Sequence, residues 1–328
     1  MITRRLLLGT SLLTASGCAR KRVTTTVRVV AIPYFNMSAL YLAEESGYFA
    51  EEGIGVQIQE MPRSTTAIPL LSGGGADVAF FGISPTLINA IARGARVRIA
   101  ASRYCYAPDC PEVKRFYGSR TAFPGGFTDL RQVKGKRVIL AGTPGSMGEF
   151  VWDNALSSAG LHRADVTVVP LQDADGTAVL LGAGKVDVIL PTVDNDPGLT
   201  AFRDRIVPGP GASSALPNFQ FSYIIFGKRF LDDSPEQGAP FLRAYFRAAR
   251  EFAAGKTPDK FFDRLSKNGF DANALHSLCR GGAVLDGHIQ LVDLQRFIDW
   301  AAPRKLVPGA LRAEQLVDQQ FLRKARLS

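Results

Sequence analysis

The strongest constraint on the fold is an internal duplication with an offset of about 110 residues. Residues 71–80 (LSGGGADVAF) align with residues 181–190 (LGAGKVDVIL), and residues 56–59 align with residues 166–169 at the same offset. Each copy reads strand–helix–strand–helix–strand, and such repeats determine architecture because each copy is one structural unit. The sequence therefore predicts an α/β protein of two doubly wound lobes. Ligands of such sheets bind outside the carboxyl ends of the strands, which here means a cleft between the lobes.

The second copy contains the clearest binding signature, in residues 137–152 (RVILAGTPGSMGEFVW). An apolar strand leads through a glycine-rich turn into a helix, with Ser146 as the predicted N-cap and Glu149 completing a capping box. A helix start presents unpaired backbone N–H groups and the positive end of the helix dipole, and together these hold an anion or a polar group. Thr143, Gly145 and Ser146 are therefore candidate ligand contacts. The alternative is a turn that binds nothing, as most such turns do.

The first copy supplies the opposite wall of the predicted cleft. Its first strand leads into Tyr34 and Phe35, whose rings are suited to cover a flat or apolar ligand body. Ser84, an N-cap followed by Pro85, repeats the turn-and-cap pattern and is suited to hold a polar head group. For each aromatic residue the alternative is packing in the hydrophobic core.

The N-terminus has the pattern of an export signal. Two arginines, Arg4 and Arg5, precede a short apolar run that is too short to span a bilayer. Residues 15–18 (ASGC) resemble a bacterial lipobox in which Cys18 is lipidated, although Ala15 stands where Leu is usual, and residues 3–8 resemble a twin-arginine signal. We therefore predict a lipoprotein-type signal over residues 1–17, a tether over 18–26, and a periplasmic or cell-surface protein anchored through Cys18. The alternative is an ordinary secretory leader that is cleaved nearby.

Export determines how the remaining cysteines are interpreted. In an oxidising compartment, Cys105 and Cys110 are the candidates for a disulfide that closes a small loop, and Cys279 is then unpaired or competes for a partner. The alternative is free, buried thiols. The three histidines are isolated and no spacing suggests a metal site, so we expect neither a metal nor a cofactor.

The charge of the chain limits its possible partners. The formal net charge is +9, but the basic residues are scattered without interleaved aromatics, so no nucleic-acid partner is expected. A mild positive field favours anionic ligands or membrane surfaces.

Lobe I is predicted over residues 27–118 and 224–328, with helices on its outer faces, and lobe II over 119–223. Residues 104–127 are predicted to be a loop near the first crossing between the lobes.

Several phrases together resemble a known family. They are residues 39–49 (ALYLAEESGYF), 51–54, 75–78, 133–138 (VKGKRV), 184–188 and 316–322 (LVDQQFL). In this order and spacing they are similar to solute-binding proteins of ABC importers, in the nitrate/sulfonate/taurine and thiamine-precursor group. The resemblance implies a type II periplasmic-binding fold that closes on its ligand by hinge motion and docks on a membrane permease.

The resemblance also implies positions for the ligand contacts. Relatives use the Gly–Ser at the second-lobe helix start, here Gly145 and Ser146, and the loop after the first strand, which adds Asn36 to Tyr34 and Phe35. Further matches by position are Ser64, Thr65, Ser84 and Asp194. The sequence departs from the family pattern at residues 191–197, where the usual acidic residue and proline are shifted. Asp194 disfavours a purely anionic ligand and suits an amine or a pyrimidine N–H instead.

The sequence thus predicts an extracytoplasmic binding protein that captures a small solute and performs no chemistry. The expected ligand is either a sulfonate-, nitrate- or taurine-like anion or a heteroaromatic such as a pyrimidine. The alternative is an enzyme on the same fold that acts on a small pyrimidine or a cyclic acid metabolite, since fold does not determine function. No nucleophile elbow or Ser–His–Asp set supports that alternative.

Overall fold

The computed structural model describes residues 25–61, 66–140, 145–170, 176–191 and 197–326. The strands are β1 (Thr25–Ala31), β2 (Ile54–Glu60), β3 (Val78–Gly82), β4 (Arg98–Cys105), β5 (Arg115–Ser119), β6 (Arg137–Ile139), β7 (Thr167–Val168), β8 (Val188–Ile189), β9 (Ile206–Gly211) and β10 (Gln220–Phe226). The α-helices are α1 (Ser38–Glu45), α2 (Tyr48–Glu51), α3 (Ala67–Gly73), α4 (Pro85–Ala92), α5 (Met147–Ser158), α6 (Thr177–Gly182), α7 (Pro197–Ala201), α8 (Gly238–Ala253), α9 (Asp259–Lys267), α10 (Ala272–Ser277), α11 (Leu291–Ala301) and α12 (Gln320–Arg326).

The strands form two five-stranded sheets, one for each lobe. The order is β2-β1-β3-β10-β4 in the first sheet and β7-β6-β8-β5-β9 in the second. The duplicated strands β1, β2 and β3 are parallel, as are their counterparts β6, β7 and β8. In each sheet one antiparallel strand, β10 or β5, lies beside them. The predicted two-lobed α/β architecture is confirmed.

The duplication is visible in atomic detail as one ion pair in each lobe. In the first lobe, Arg28 donates from its backbone N and its Nη2 to the two carboxylate oxygens of Asp77, both at 2.8 Å. In the second lobe, Arg137 donates in the same way to Asp187, at 2.8 and 2.7 Å. Each guanidinium also reaches a glycine carbonyl in the turn before the third strand, at 2.7 and 2.8 Å. The clamp ties the first strand of each repeat to the turn that precedes its third strand.

The chain crosses between the lobes twice, over residues 106–114 and 212–219. Residues 115–119, which the sequence analysis assigned to a loop, are instead strand β5 of the second sheet. Strand β10 lies wholly in the first sheet. The crossings therefore lie a few residues before the boundaries predicted at 118/119 and 223/224. Strand β5 is short and pairs on both sides, so its residues show no regular alternation of apolar and polar side chains.

Most of the C-terminal helices cover the first lobe, as predicted, but α11 contacts both lobes: its Asp293 accepts from the backbone N of Gln220 on β10 at 2.8 Å. Helices α8, α9 and α12 share a hydrophobic cluster with α1 on one face of the first sheet. The rings of Phe297 and Trp300 on the same helix lie 5.3 and 5.4 Å from the ring of Phe150 on α5 of the second lobe. Trp300 also donates from Nε1 to Asp153 at 2.8 Å. Helix α11 therefore bridges the two lobes.

The disulfide joins Cys110 to Cys279, so the predicted Cys105–Cys110 pairing is wrong. The two Cα atoms are 5.6 Å apart across 169 residues of sequence. Cys105 ends β4 and its backbone N–H donates to Gly282, while the turn after it carries Cys110 to the segment that follows α10. Cys105 is a free thiol whose pKa is raised by burial. Cys18 lies outside the described residues. Within the described ranges, no helix is both long enough and apolar enough to cross a membrane.

We predict that the two clamps differ in strength. Asp77 is fully buried and accepts from both Arg28 and Arg229, so Asp77→Asn should lower the free energy of unfolding by about 3–5 kcal/mol. Asp187 is partly exposed and has one arginine partner, so Asp187→Asn should cost about 1–3 kcal/mol. Urea unfolding at pH 7 measures both values, with the exposed Asp129→Asn as the control. Equal losses at the two sites would contradict the prediction.

The second clamp should also depend on pH. Burial alone would raise the pKa of Asp187, but hydrogen bonds and charge from Arg137 outweigh it and hold the pKa below its ordinary value. A lowered folded-state pKa stabilises the fold above the ordinary pKa of about 4, and that contribution is lost as the pH falls further. The difference in stability between the natural chain and Asp187→Asn should therefore shrink below about pH 4.

We predict that the disulfide is a large contributor to stability. Removing a native disulfide typically costs about 2–5 kcal/mol, and this one closes a long loop. Cys110→Ser and Cys279→Ser should each lower the midpoint of thermal unfolding, as should reduction, while Cys105→Ser should leave it unchanged. Peptide mapping without reductant should recover the linked fragment. A fragment that links Cys105 to Cys110 would contradict the assignment.

Candidate ligand-binding site

The described site residues lie in segments that follow parallel strands. Strands β1, β2 and β3 run in the same direction, so the segments that follow them leave one edge of the first sheet. The segments after β6, β7 and β8 leave the equivalent edge of the second sheet. Such edges carry the ligand sites of doubly wound proteins. Four of the predicted contacts, Ser64, Thr65, Thr143 and Asp194, lie outside the described residues.

The loop after β1 divides its three predicted contacts between two environments. Phe35 is 7% exposed and packs in the core, with its ring 5.6 Å from that of Phe252 and 5.9 Å from that of Phe262. Tyr34 and Asn36 are only partly buried. The structure therefore gives Phe35 the core-packing role, and leaves Tyr34 and Asn36 as the residues of this loop that can meet a ligand.

Ser84 is the N-cap of α4, as its sequence pattern predicts. Its Oγ accepts a hydrogen bond from the backbone N of Leu87 at 3.3 Å, and Pro85 occupies the first helical position. A capped helix start fixes the direction in which the remaining backbone N–H groups point. The turn after β3 therefore presents a rigid helix N-terminus at the cleft edge of the first lobe.

Ser146 is likewise the N-cap of α5, and the Glu149 side chain reaches back to the preceding glycine turn. The Oγ of Ser146 accepts from the backbone N of Glu149 at 3.3 Å. The Glu149 carboxylate accepts from the backbone N of Gly145 at 2.6 Å, and its other oxygen is 2.6 Å from Arg163. One N–H of the glycine turn is thus already paired with a carboxylate, so a ligand anion at Gly145 would have to compete with Glu149.

The turns of the two lobes meet at Gly145. This glycine has a φ of +82°, and a Cβ placed on it would lie 3.1 Å from Cγ of Pro85 and 3.0 Å from Cδ1 of Leu306. Pro85 belongs to the first lobe, so the contact brings the turns that contain Ser84 and Ser146 together. Gly145 is required both by its left-handed backbone and by this close approach.

Two contacts of the described structure, made by Leu306 and Arg103, were not anticipated from the sequence. Leu306 lies in the turn that ends α11, and its carbonyl accepts at 2.7 Å from Asn89 of α4, which is 217 residues away in sequence. Arg103, near the carboxyl end of β4, is 2% exposed and donates to the carbonyl oxygen of Asn36. No local pattern signals either contact, because Arg103 has the sequence context of an ordinary polar position in an apolar strand. Within the described residues, no cluster of metal-binding side chains is found.

Comparison with known protein sequences gives one family and one relative. A family model described as NMT1/THI5 like matches residues 34–259. The 4-amino-5-hydroxymethyl-2-methylpyrimidine phosphate synthase of Schizosaccharomyces pombe is 29% identical over 148 residues, which are 45% of this chain. The match covers 39% of the length of that synthase.

Several solved structures share the fold. The periplasmic aliphatic sulphonate-binding protein SsuA from Escherichia coli has a TM-score of 0.68 at 17% identity, covering 90% of this chain and 92% of that one. The periplasmic nitrate-binding protein NrtA from Synechocystis has a TM-score of 0.68 at 13% identity, with coverages of 92% and 88%. The desulfurization enzyme DSZB has a TM-score of 0.60 at 16% identity, with coverages of 92% and 99%.

We predict that the two capping serines contribute to ligand affinity. Each Ser→Ala change removes a cap worth about 1 kcal/mol and one polar group at the cleft. With the solute that co-purifies with the protein, the double variant Ser84→Ala and Ser146→Ala should bind about tenfold more weakly in isothermal titration, because two weak hydrogen bonds are lost. Ser158→Ala, at the opposite end of α5, is the matched control. Unchanged affinity in a folded double variant would refute this placement of the site.

Proposed function

The chain belongs to the NMT1/THI5-like family, and on that premise we propose that it is the extracytoplasmic solute-binding component of an ABC importer. The observation that carries this proposal is the meeting of the two lobes at Gly145 and Pro85. This contact brings a capped helix start of each lobe together and supports a binding site between them. A site assembled from two separate lobes suits reversible capture of a small molecule.

The two crossings between the lobes are suited to act as a hinge. Tyr106 in the first crossing donates its backbone N–H to Phe219 at 3.0 Å, and Asn218 in the second crossing donates back to Tyr106 at 2.9 Å. Short paired segments of this kind absorb the backbone rotation of domain closure. We infer that the solute enters between the loops around Tyr34, Asn36, Ser84 and Ser146, and that rotation about the crossings closes the lobes over it.

Location and partners follow from the same proposal. The leader predicted over residues 1–17 would export the chain, and its twin-arginine pattern favours export by the twin-arginine route. Lipidated Cys18 would then hold the chain at the membrane. There it would deliver its solute to an ABC permease. The ligand class remains either a sulfonate- or nitrate-like anion or a pyrimidine-like heteroaromatic, as in the relatives named above.

The second candidate function is an enzyme on the same fold, favoured by the similarity to the fission yeast synthase. The described residues offer little for such chemistry. The ring of His276 packs against Phe262 at 5.2 Å, and no histidine forms an ion pair in the part of the chain that the structure describes. We therefore propose binding without turnover.

Mass spectrometry of the purified mature protein under native conditions should detect a bound small molecule. Adding that compound at a hundredfold excess over its dissociation constant should stabilise the fold by about 2.7 kcal/mol, because only the folded state binds it. After prolonged incubation, NMR spectroscopy should recover the compound unchanged. Appearance of a product would instead support the enzyme. The control is the double variant Ser84→Ala and Ser146→Ala, whose stabilisation at the same concentration should be smaller.

A further inference from the structure

A buried arginine lies at the cleft edge of the first lobe. Strand β10 is antiparallel to both β3 and β4, so β4 runs in the same direction as β1, β2 and β3. The carboxyl end of β4 is therefore at the same edge as the loops that carry the predicted site. Arg103 lies at this end, two residues before the strand finishes. It is 2% exposed.

The guanidinium of Arg103 holds the loop after β1. Its Nη1 donates to the carbonyl oxygen of Asn36, and its Nη2 lies 3.4 Å from the side-chain oxygen of the same residue. The rings of Phe80 and Tyr104 lie 5.4 and 5.5 Å from its central carbon. Through both oxygens of Asn36, the arginine sets the position of that loop and the orientation of its amide.

Among the described residues, Arg103 has no carboxylate partner for its charge. Among the described residues, the buried charged side chains are Asp77, Arg103 and Asp293. Asp77 has two arginine partners. Asp293 accepts a hydrogen bond from the backbone N of Gln220 at 2.8 Å, and burial raises its pKa.

Arg103 has no oppositely charged partner among the described residues, and its charge cannot be removed by loss of a proton. An arginine cannot be deprotonated in a protein. In the part of the chain that the structure describes, its hydrogen bonds go to Asn36 and to the hydroxyl of Tyr245, both uncharged, and its Nε has no partner. A buried and unpaired charge is costly, so a chain that keeps one has a use for it.

We propose that Arg103 is the positioning residue of the ligand site, fixing the Asn36 loop and making the cleft select a solute with an anionic oxygen group. The inference rests on the solute-binding function proposed above and narrows its ligand to the anionic class. The anion provides the missing counter-charge next to the Asn36 loop. The Asn36 amide nitrogen would donate to the anion, while the guanidinium of Arg103 holds the amide oxygen on the side away from the ligand.

The test compares charged and neutral probes at Arg103. Isothermal titration of the mature protein uses butane-1-sulfonate, nitrate and the neutral 4-amino-5-hydroxymethyl-2-methylpyrimidine. Arg103→Met should weaken binding of the anions about 10- to 100-fold, because one charge-assisted interaction is lost, and should change pyrimidine binding much less. Arg103→Lys should restore most of the anion affinity. Arg98→Met is the matched control: it removes a half-buried arginine from the opposite end of β4, where Nη1 bonds only to the carbonyls of Ala95 and Val97.

A second variant keeps the test valid if Arg103→Met does not fold. Asn36→Asp supplies the counter-charge within the protein, so it should fold and lose anion affinity to a similar extent. Anion binding that is unchanged in either folded variant overturns the inference. Binding of the neutral pyrimidine alone also overturns it, yet leaves the solute-binding function intact. Absence of binding to every probe, with no co-purified solute, contradicts both.

Discussion

Each lobe depends on one arginine–aspartate clamp. The clamp in the first lobe is fully buried at Asp77, and its copy in the second lobe joins Arg137 to Asp187 with nearly the same distances. In both, an arginine of the first strand reaches the turn before the third strand. This contact sets the register of the parallel strands, and hence the edge at which their loops emerge. Without this contact, nothing would hold the strands in the register that brings their loops to the same edge of the sheet.

The two lobes are held together by more than the crossings. Helix α11 packs its aromatic face on α5, and the turn that ends it places Leu306 against Gly145. The disulfide ties the first crossing to the segment after α10. The C-terminal region therefore contacts both the second lobe and the first crossing, although its sequence has the pattern of ordinary amphipathic helices. Any closing motion must take place around these fixed points.

The candidate site combines features that favour different ligands. At the start of α5, the Glu149 carboxylate already pairs with the Gly145 N–H, which makes this helix start less receptive to an anion than its sequence implies. In the opposite lobe, Arg103 carries a buried charge with no carboxylate partner among the described residues. Among the described residues, the buried positive charge at this edge therefore lies in the first lobe, whereas the glycine-turn signature lies in the second.

The sequence by itself determined the two-lobed α/β architecture, the alternation of strands and helices in each repeat and the capping serines, because periodicity and N-cap chemistry are local. It also placed Tyr34, Asn36, Ser84 and Ser146 at strand ends. Only the tertiary structure decided that Phe35 is a core residue, that Cys110 pairs with Cys279, and that Arg103 lies beneath Asn36. These three facts depend on contacts between residues distant in sequence, and no local pattern encodes which distant side chain will fill a given space or balance a given charge.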